Sequence, residues 1–321
     1  MKTIFVLGSI IIAALLCVGT AFAAFDDMGV GARPLGMGGA FVAVADDANA
    51  ATHNAAGLGY IEAAVAGFTH LRMIAGVVNY NYAGIVLPLG GAGSLGVSFG
   101  MLSEESDIYS EKSVAFSYAR KVAEILSLGT NLKMLNTGFD SDNPWVTENP
   151  YFAESSMSGF TLDLGVLARP VEGLNIGLSA ENLIPVDISV AENEEGKVPM
   201  NLRFGLAYKL SAIAASAQQP ALKEVLNTTV ISIESALREE RGESAVKVRA
   251  GLEAWFAGQT LGLRAGYRMK KVQETSSSAV VGGSIRVPIT DVNLQLDYAL
   301  QIFGGDIEDK LIHRISVAVS L

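Results

Sequence analysis

GARPLGMGGAFVAVADDANAATHNAAGLG, residues 31–59, is the stretch on which the predicted fold of this 321-residue chain depends. It holds too many Gly and Ala residues for a strand that packs by its own side chains, and it is too apolar for a solvated tail. This composition suits a segment that another structure encloses, because small side chains let a surrounding wall approach the backbone closely. We therefore expect residues 31–59 to lie inside an element that the rest of the chain forms.

The overall composition indicates a membrane protein without helical spans. Hydrophobic residues make up 50% of the chain, charged residues only 17%, and there are 34 glycines, which is too apolar for a typical soluble protein and too rich in Gly for a helical one. Beyond the N-terminus, glycines or a proline interrupt each apolar run that is long enough for a helical span. The nearest case, residues 84–102, contains Pro88 and a Gly-Gly-Ala-Gly turn. The remaining way to cross a bilayer is a closed β-barrel.

The first 23 residues have the pattern of a secretory signal peptide. Lys2 supplies the positive start, residues 4–18 the apolar core, and Ala-Phe-Ala at residues 21–23 the cleavage site. Cys17, the only cysteine, would have to be acylated in a lipoprotein, but a bulky leucine precedes it, so the Ala-Phe-Ala site is favoured. An exported, thiol-free, apolar chain is typical of the Gram-negative outer membrane.

After residue 62 apolar and polar residues alternate with period two, as they do in strands. A soluble sandwich would alternate as well, but about fourteen segments of roughly nine to eleven residues match tilted strands that cross a bilayer, and the number is even. We therefore predict an all-β transmembrane antiparallel barrel, with apolar side chains facing lipid. The predicted strands are residues 63–70, 79–87, 94–102, 113–121, 126–135, 159–169, 174–182, 201–210, 226–234, 245–256, 260–268, 279–287, 292–302 and 311–321.

The predicted links alternate between short turns and longer polar segments. We assign the short turns to the periplasmic side and the long links to the outside, as in other outer-membrane barrels. The link at residues 211–225 breaks this rule, because it is long, partly helical in pattern and on the predicted periplasmic side. The predicted outer links are residues 103–112, 136–158, 183–200, 235–244, 269–278 and 303–310.

If the apolar faces contact lipid, the alternating polar faces line the lumen with charges of both signs. Such charges either hold the wall and the enclosed segment together or help a ligand to pass. We expect Asp46 and Asp47 to pair with lumen arginines, because a buried unpaired carboxylate is costly. The predicted lumen charges are Asp163, Arg203, Arg249, Arg264, Arg286 and Asp297, together with Lys247, Glu253 and Arg314.

Several function classes are disfavoured by the sequence. Residues 36–39 are Gly-rich but lack the spacing and the lysine of a nucleotide loop. His53, His70 and His313 are scattered without ligand spacing, so neither a metal nor another cofactor is predicted. No catalytic residue is predicted: Thr69 adjoins His70, but neighbours in a strand point to opposite faces, so this nucleophile and base could not act together. A formal charge of -10 without basic clusters argues against nucleic acid.

Residues 31–47 resemble, nearly letter for letter, the N-terminal signature of an outer-membrane β-barrel family. This family includes the long-chain fatty acid transporters (FadL type) and the PorV-like proteins of a bacterial secretion system. The family usually continues with an aromatic residue and Asn-Pro-Ala-Gly-Leu, where this chain has His-Asn-Ala-Ala-Gly-Leu at residues 53–58. The resemblance implies a fourteen-stranded barrel, residues 63–321, that is closed by an N-terminal plug or hatch, residues 24–62. The plug-motif residues are Gly36, Gly38, Gly39, Asp46, Asp47, Asn54 and Gly57.

The resemblance also implies candidate functions. In the fatty acid transporters the hatch blocks the lumen, a hydrophobic ligand is collected among outer loops, and it leaves sideways through the wall. Our leading prediction is passive uptake of hydrophobic small molecules such as long-chain fatty acids, by a protein embedded in outer-membrane lipid. The alternatives are a PorV-like protein that binds or shuttles secreted protein partners without transport, and a mainly structural barrel. The ligand candidates, for which an interfacial girdle or loop packing is the other interpretation, are Phe41, Val42, Trp145, Tyr151, Phe152 and Met157.

Overall fold

Fourteen antiparallel strands close into a barrel in which each strand pairs with its sequence neighbours and β1 pairs with β14. The computed structural model describes residues 25, 29–73, 77–104, 106, 108–148, 154–190, 196–240, 242–304 and 311–321, so the predicted signal peptide lies outside the described residues. The predicted fold class and strand number are confirmed. The strands are β1 Val65–Met73, β2 Val78–Pro88, β3 Ser94–Glu104, β4 Tyr109–Ala123, β5 Leu126–Phe139, β6 Ser156–Val171, β7 Leu174–Glu181, β8 Asn201–Lys209, β9 Val230–Glu240, β10 Glu243–Phe256, β11 Leu261–Lys271, β12 Thr275–Ile289, β13 Val292–Phe303 and β14 Leu311–Ser320.

The strands bury polar side chains on the inner face and expose apolar side chains on the outer face. On β6, for example, Phe160 is 61% exposed whereas the next residue, Thr161, is fully buried. Because successive side chains of a strand point to opposite faces, this pattern places the apolar side chains outside the ring. The prediction that apolar side chains lie on the outer face of the barrel is therefore confirmed. Below, the barrel end at Val65 and Ser320 is called the turn end, and the end at Met73 and Leu311 is called the loop end.

Two predicted outer links are wrong because strands continue through them. β9 and β10 meet across residues 241–242, not across a link at 235–244, and β11 and β12 meet across residues 272–274, not across 269–278. The polar residues that suggested loops, such as Arg238 and Glu240, are buried on the inner face. Polarity at these positions marks the lumen and not a solvated link.

The link between β8 and β9 is helical, as its pattern predicted, and it shifts the start of β9. Helices α4 (Ser211–Ala214) and α5 (Pro220–Thr228) occupy it, so the predicted strand at 226–234 begins too early. Pro220 at the first turn of α5 suits a helix start, because proline has no N–H to leave unbonded there. The Thr228 hydroxyl donates to the Trp255 carbonyl at 2.6 Å and fastens the helix pair to β10. Among the described residues, no helix combines the length and the hydropathy that a membrane crossing requires.

The segment before β1 lies against the inner wall on all sides of the ring. It contains helix α1 (Ala32–Gly36), helix α2 (Ala50–His53) and a 3-10 helix at Ala55–Tyr60. The first part packs against β11 to β14, and the 3-10 helix packs against β3 to β6. Residues 31–45 are all buried, so much of the dry interior of the protein is this segment. The link between β5 and β6 contains one further short helix, α3 (Pro144–Thr147), and a 3-10 turn at Gly90–Ala92 follows β2.

Candidate functional site

A buried carboxylate on β9 holds the middle of the N-terminal segment. Glu234, which is 1% exposed, accepts hydrogen bonds at Oε2 from the backbone N–H groups of Phe41 at 3.0 Å and Val42 at 2.9 Å. Its Oε1 accepts from the Arg203 guanidinium at 2.9 and 2.7 Å, and Arg249 also donates to this oxygen. Because both oxygens are bonded, the carboxylate is satisfied although it is far from water.

A second buried carboxylate, Glu253 on β10, holds the start of the segment. Arg33 of α1 donates to it at two points, with Nε at 2.8 Å and Nη2 at 2.7 Å, and Arg264 of β11 donates at 2.6 Å. Arg33 also pairs with Asp46 at 2.6 Å and with Asp47 at 2.9 Å. Arg33 therefore joins two parts of the segment to each other and to the wall.

The predicted partner of the two aspartates needs a correction. Asp46 and Asp47 are paired, but with Arg33 of their own segment and not with an arginine of the wall. The wall arginines Arg203 and Arg264 are held by Glu234 and Glu253 instead. Paired carboxylates on the wall keep those guanidinium groups in place, so the segment needs a cation of its own.

Burial and charge pairing act in opposite directions on the ionisable groups of the segment. Burial alone would lower the pKa of the Arg33 guanidinium, but the carboxylates of Asp46, Glu253 and Asp47 raise that pKa well above its ordinary value. Burial raises the pKa of Asp47, although the neighbouring Arg33 guanidinium acts to lower it. The charged form of Arg33 is thus the anchoring form at any ordinary pH.

The segment touches the wall at glycines on both sides. Gly38 has a positive φ of 66°, and a Cβ at this position would lie 2.6 Å from the Ala250 carbonyl oxygen. A Cβ on Gly266 of β11 would collide with the backbone of Gly38, and a Cβ on Gly251 would lie 2.7 Å from the Met37 Cβ. Real side chains do not approach so closely, so the wall admits the segment only because these strand positions lack a side chain.

The second half of the segment is fixed by Asn54. Its side-chain amide donates to the Val42 carbonyl at 2.9 Å and to the Val166 carbonyl of β6 at 3.0 Å, while its Oδ1 accepts from Ala56 at 3.1 Å. One side chain therefore ties the segment to itself and to the wall. Gly57 packs closely on Ala45, where a Cβ would lie 2.7 Å from the alanine methyl group.

All nine predicted lumen charges lie on the inner face of the barrel. Asp163 accepts from Lys133 at 2.7 Å and from the Asn182 backbone at 2.9 Å. Asp297 pairs with Arg264 at 3.3 Å, and the Arg286 guanidinium lies 4.2 Å from the centre of the Trp255 ring. These charges bond to one another, to the wall and to the segment. The nine residues are Asp163, Arg203, Lys247, Arg249, Glu253, Arg264, Arg286, Asp297 and Arg314.

Among the predicted ligand residues whose side chains the structure describes, Phe41 and Met157 belong to separate apolar clusters. Phe41 and Val42 are fully buried within the segment, where the Phe41 ring packs edge-on against His53. Met157 packs at the loop end against a cluster of Leu135, Val186, Ile188 and Val198. Trp145 belongs to α3, and Tyr151 and Phe152 lie outside the described residues.

Two cavities lie on opposite sides of the segment. The cavity towards the loop end has a volume of about 160 Å³ and is bordered by residues 51–53, whereas that towards the turn end has about 530 Å³ and is bordered by residues 46–49. Charged and hydroxyl side chains line both, including Lys133 and Glu181 in the first and Arg286 and Asp297 in the second. The segment therefore lies between the two cavities.

Three anchoring residues were missed or were given no role by the sequence reasoning. Glu234 fell at the end of a strand that was placed too early, although its alternation with Ile231 and Ile233 marks it as inward-facing. Arg33 lies in the signature, which predicts no function for it, and Glu253 is a predicted lumen charge without a predicted partner. A lone arginine in an apolar enclosed stretch is itself a signal, because it requires a buried carboxylate. Among the described residues, no group of three or more His, Cys, Asp or Glu could hold a metal ion.

The sequence and the fold match known proteins. Residues 63–316 match the family model described as type IX secretion system membrane protein PorP/SprF. No curated protein matches the sequence.

Solved barrels of low sequence identity share the fold. A Pseudomonas aeruginosa FadL homologue aligns over 94% of this chain and 98% of its own, with 10% identity and a TM-score of 0.58. The Ralstonia pickettii toluene transporter TbuX aligns over 92% and 98%, with 13% identity and a TM-score of 0.58. The Pseudomonas putida toluene transporter TodX aligns over 94% and 98%, with 12% identity and a TM-score of 0.56.

Proposed function

Because the chain belongs to the PorP/SprF family of type IX secretion system membrane proteins, we propose that it is an outer-membrane barrel that binds secreted protein partners or other secretion components and conducts no small molecules. In this proposal residues 24–62 act as a plug and residues 63–321 as the transmembrane barrel. The plug stays bound to the inner face of the wall, and protein partners bind the outer surface of the molecule.

The observation that carries the proposal is the double anchorage of the plug. Glu234 binds backbone N–H groups in its middle, and Glu253 binds Arg33 near its start. Removing one member of a buried, hydrogen-bonded ion pair typically costs ~3–5 kcal/mol. Opening a path along the lumen would break both anchors at once, so the resting state strongly favours a closed lumen.

The loop end supports the binding of a protein partner. The link between β7 and β8 folds back so that Val186, Ile188 and Val198 pack on Leu135 of β5. This link is held further by the Asn182 side chain, which donates to the Pro199 carbonyl at 3.1 Å. A loop that is packed on the barrel offers a preformed surface, and preformed surfaces lose less entropy when a partner binds.

Uptake of hydrophobic small molecules is the second candidate. It is favoured by the apolar cluster at the loop end, where Phe25 and Met157 pack beside Leu135. Phe25 and Leu135 also line the cavity towards the loop end. That cavity, at about 160 Å³, is smaller than the ~300–1,000 Å³ of typical ligand pockets. In the uptake proposal Phe41, Val42, Trp145, Tyr151, Phe152 and Met157 would contact the ligand.

One experiment separates the two candidates. The gene is deleted in its native bacterium, and two quantities are measured with and without a complementing copy: the amount of type IX cargo outside the cell, and the rate at which radiolabelled fatty acid or toluene enters it. We expect the deletion to reduce secreted cargo and to leave uptake unchanged. Normal secretion with reduced uptake would overturn the partner proposal in favour of transport.

A further inference from the structure

The Arg286 side chain of β12 borders the cavity towards the turn end. The volume of this cavity is about 530 Å³, which is within the ~300–1,000 Å³ of typical ligand pockets. Exposed residues of its lining, such as Gln259 and Asn293, open it to solvent at the turn end. Among the described residues, no aspartate or glutamate forms an ion pair with Arg286, whose acceptors are glutamines. The guanidinium group is therefore a cation with neutral partners at the edge of a ligand-sized space.

Part of the donor capacity of this guanidinium group is unused. The Gln295 Oε1 atom accepts from Nε at 3.0 Å and from Nη2 at 2.7 Å, and Gln259 accepts from Nη1 at 3.4 Å. Because an arginine carries five N–H donors, one N–H on each terminal nitrogen has no acceptor among the described residues. Two neighbouring N–H groups of this kind match the two oxygens of a carboxylate.

The surroundings of Arg286 hold the guanidinium plane in one orientation. Its central carbon lies 4.2 Å from the centre of the Trp255 ring, a distance at which a cation is attracted to the aromatic face. Gln295, which accepts from Arg286, is itself fixed, because its amide donates to both oxygens of Asp297 at 2.9 and 3.0 Å. Donors that are already oriented lose less entropy when a ligand binds to them.

The carboxylates that line the same cavity already have basic partners. Their charges are therefore largely compensated, and they leave the free N–H groups of Arg286 available to a ligand. They also limit the ligand, because a doubly charged phosphate would be repelled by several carboxylates, whereas a singly charged carboxylate matches one guanidinium group. The pairs are Arg33 with Asp46, Asp47 and Glu253, Arg264 with Asp297, and Lys121 with Glu62.

Amide side chains in the cavity are suited to a peptide backbone. Asn227 of α5 and Asn293 of β13 line it, and neither side-chain amide is bonded to a described residue. An amide group donates and accepts hydrogen bonds at once, as the peptide groups of an extended chain require. Lys209 of β8 lines the cavity as well, and its ammonium group, which no described side chain contacts by a hydrogen bond or ion pair, adds a second positive charge.

We propose that the turn-end cavity binds an extended acidic peptide, with Arg286 holding a side-chain carboxylate of that peptide. Asn227 and Asn293 bond to the peptide groups beside the carboxylate. Short turns mark the periplasmic side of outer-membrane barrels, so the peptide belongs to a protein in the periplasm. The site lies at the opposite end of the barrel from the loop-end surface discussed above, and it stands or falls independently of the partner-binding role assigned to that surface.

Fluorescence titration of the purified full-length protein in detergent tests the site. Because the chain has 2 tryptophans, Trp145→Phe leaves Trp255, which lies beneath Arg286, as the only reporter. The probes are an end-blocked peptide of glycines with one central glutamate, the same peptide with glutamine in its place, acetate and inorganic phosphate. Arg286→Gln removes the cation, and Arg286→Lys keeps the charge without the paired donors. The matched control is Arg120→Gln, which removes the same charge from an exposed side chain near the turn end of β4.

We expect the glutamate peptide to change the Trp255 emission and to bind at least about tenfold more tightly than the glutamine peptide, because a hydrogen bond to a charged group is worth about tenfold or more. Arg286→Gln should abolish this difference, Arg286→Lys should restore part of it, and Arg120→Gln should retain all of it. Acetate and phosphate should bind more weakly than the glutamate peptide, since neither ion presents peptide groups to Asn227 and Asn293.

Thermal unfolding checks that the variants are folded. Arg286→Gln leaves no described carboxylate without its basic partner, so it should unfold close to the temperature of Arg120→Gln. The comparison of the two peptides needs no change at Arg286, so it decides the outcome even if Arg286→Gln unfolds early. Equal affinities of the two peptides, no binding of either, or equal losses in Arg286→Gln and Arg120→Gln would overturn the proposal. Acetate or phosphate that binds as tightly as the glutamate peptide would overturn the assignment to a peptide.

Discussion

The Arg33 guanidinium meets the Glu253 carboxylate at two points, Nε to Oε2 at 2.8 Å and Nη2 to Oε1 at 2.7 Å, although 220 residues separate them in the sequence. Two parallel N–H···O bonds fix both the position and the orientation of the guanidinium plane. This pair therefore holds Arg33 against β10, and Glu234 holds residues 41 and 42 against β9.

Glu253→Gln should loosen the plug. The change leaves two buried guanidinium groups, Arg33 and Arg264, without the carboxylate that they share, and we expect the free energy of unfolding to fall by about 3 kcal/mol. Chemical unfolding in detergent micelles measures this loss. The control is Glu62→Gln, whose exposed side chain lies 3.7 Å from the Lys121 ammonium and should change the free energy by less than ~1 kcal/mol. Equal losses in the two variants would contradict the anchoring role.

Gly266→Ala should displace the plug without removing any bond. The new methyl group would collide with the backbone of Gly38, so we expect ion conductance in planar bilayers and faster protease cleavage within the plug. Gly91→Ala is the matched control, because a Cβ there meets no atom within 4 Å. A variant at Gly266 that stays electrically silent and protease-resistant would show that the plug and β11 are not in contact.

A disulfide between plug and wall should be compatible with secretion. The Ala43 Cβ lies 3.6 Å from the position of a Cβ on Gly205, within the ~3.5–4.5 Å range of disulfides. Val42→Ala makes room for the bridge, and Cys17, the only native cysteine, lies in the predicted signal peptide. The variant carries Ala43→Cys, Gly205→Cys and Val42→Ala. We expect its two cysteines to form a disulfide during export and the cell to secrete cargo at the wild-type level. If secretion fails until a reductant is added, the plug must move during function.

Asn54→Ala should destabilise the second half of the plug. The change removes the donor that reaches the Val42 and Val166 carbonyls, and we expect a loss of about 2 kcal/mol in the free energy of unfolding. Asn293→Ala on the exposed start of β13 serves as a control and should be nearly neutral. The prediction fails if calorimetry gives the same unfolding temperature for Asn54→Ala, Asn293→Ala and the wild type.

The sequence was sufficient to predict the barrel because each strand repeats the same local pattern. In a bilayer, the alternation of Leu261 and Leu263 with Gly262 and Arg264 predicts a strand whose leucines face lipid. Fourteen such strands can close into a barrel. Link positions were predicted less well. At residues 235–244 the polar side chains face an enclosed lumen, and the sequence does not distinguish a wet interior from a solvated loop.

Local sequence patterns did not predict which residues anchor the plug to the wall. Arg33 could pair with any inward carboxylate of the wall, and the choice of Glu253 follows from the barrel register and from the path of the plug. Gly38 and Gly266 illustrate the same limit, since each glycine suits many positions and only their contact explains both. The sequence does indicate that Arg33 needs a carboxylate partner, because an arginine in an apolar enclosed stretch would otherwise be a buried unpaired charge.

The wall glycines that receive the plug also constrain how the molecule is built. The plug is hydrogen-bonded to strands around the ring and continues directly into β1. Its insertion into a barrel that has already closed is therefore disfavoured. The seam between β1 and β14 joins the first and last strands to be synthesised, from Val65 with Ser320 to Arg72 with His313. We therefore expect β1 and β14 to pair only after the plug residues have entered the barrel. Until then the assembling protein is an open sheet that already contacts the plug.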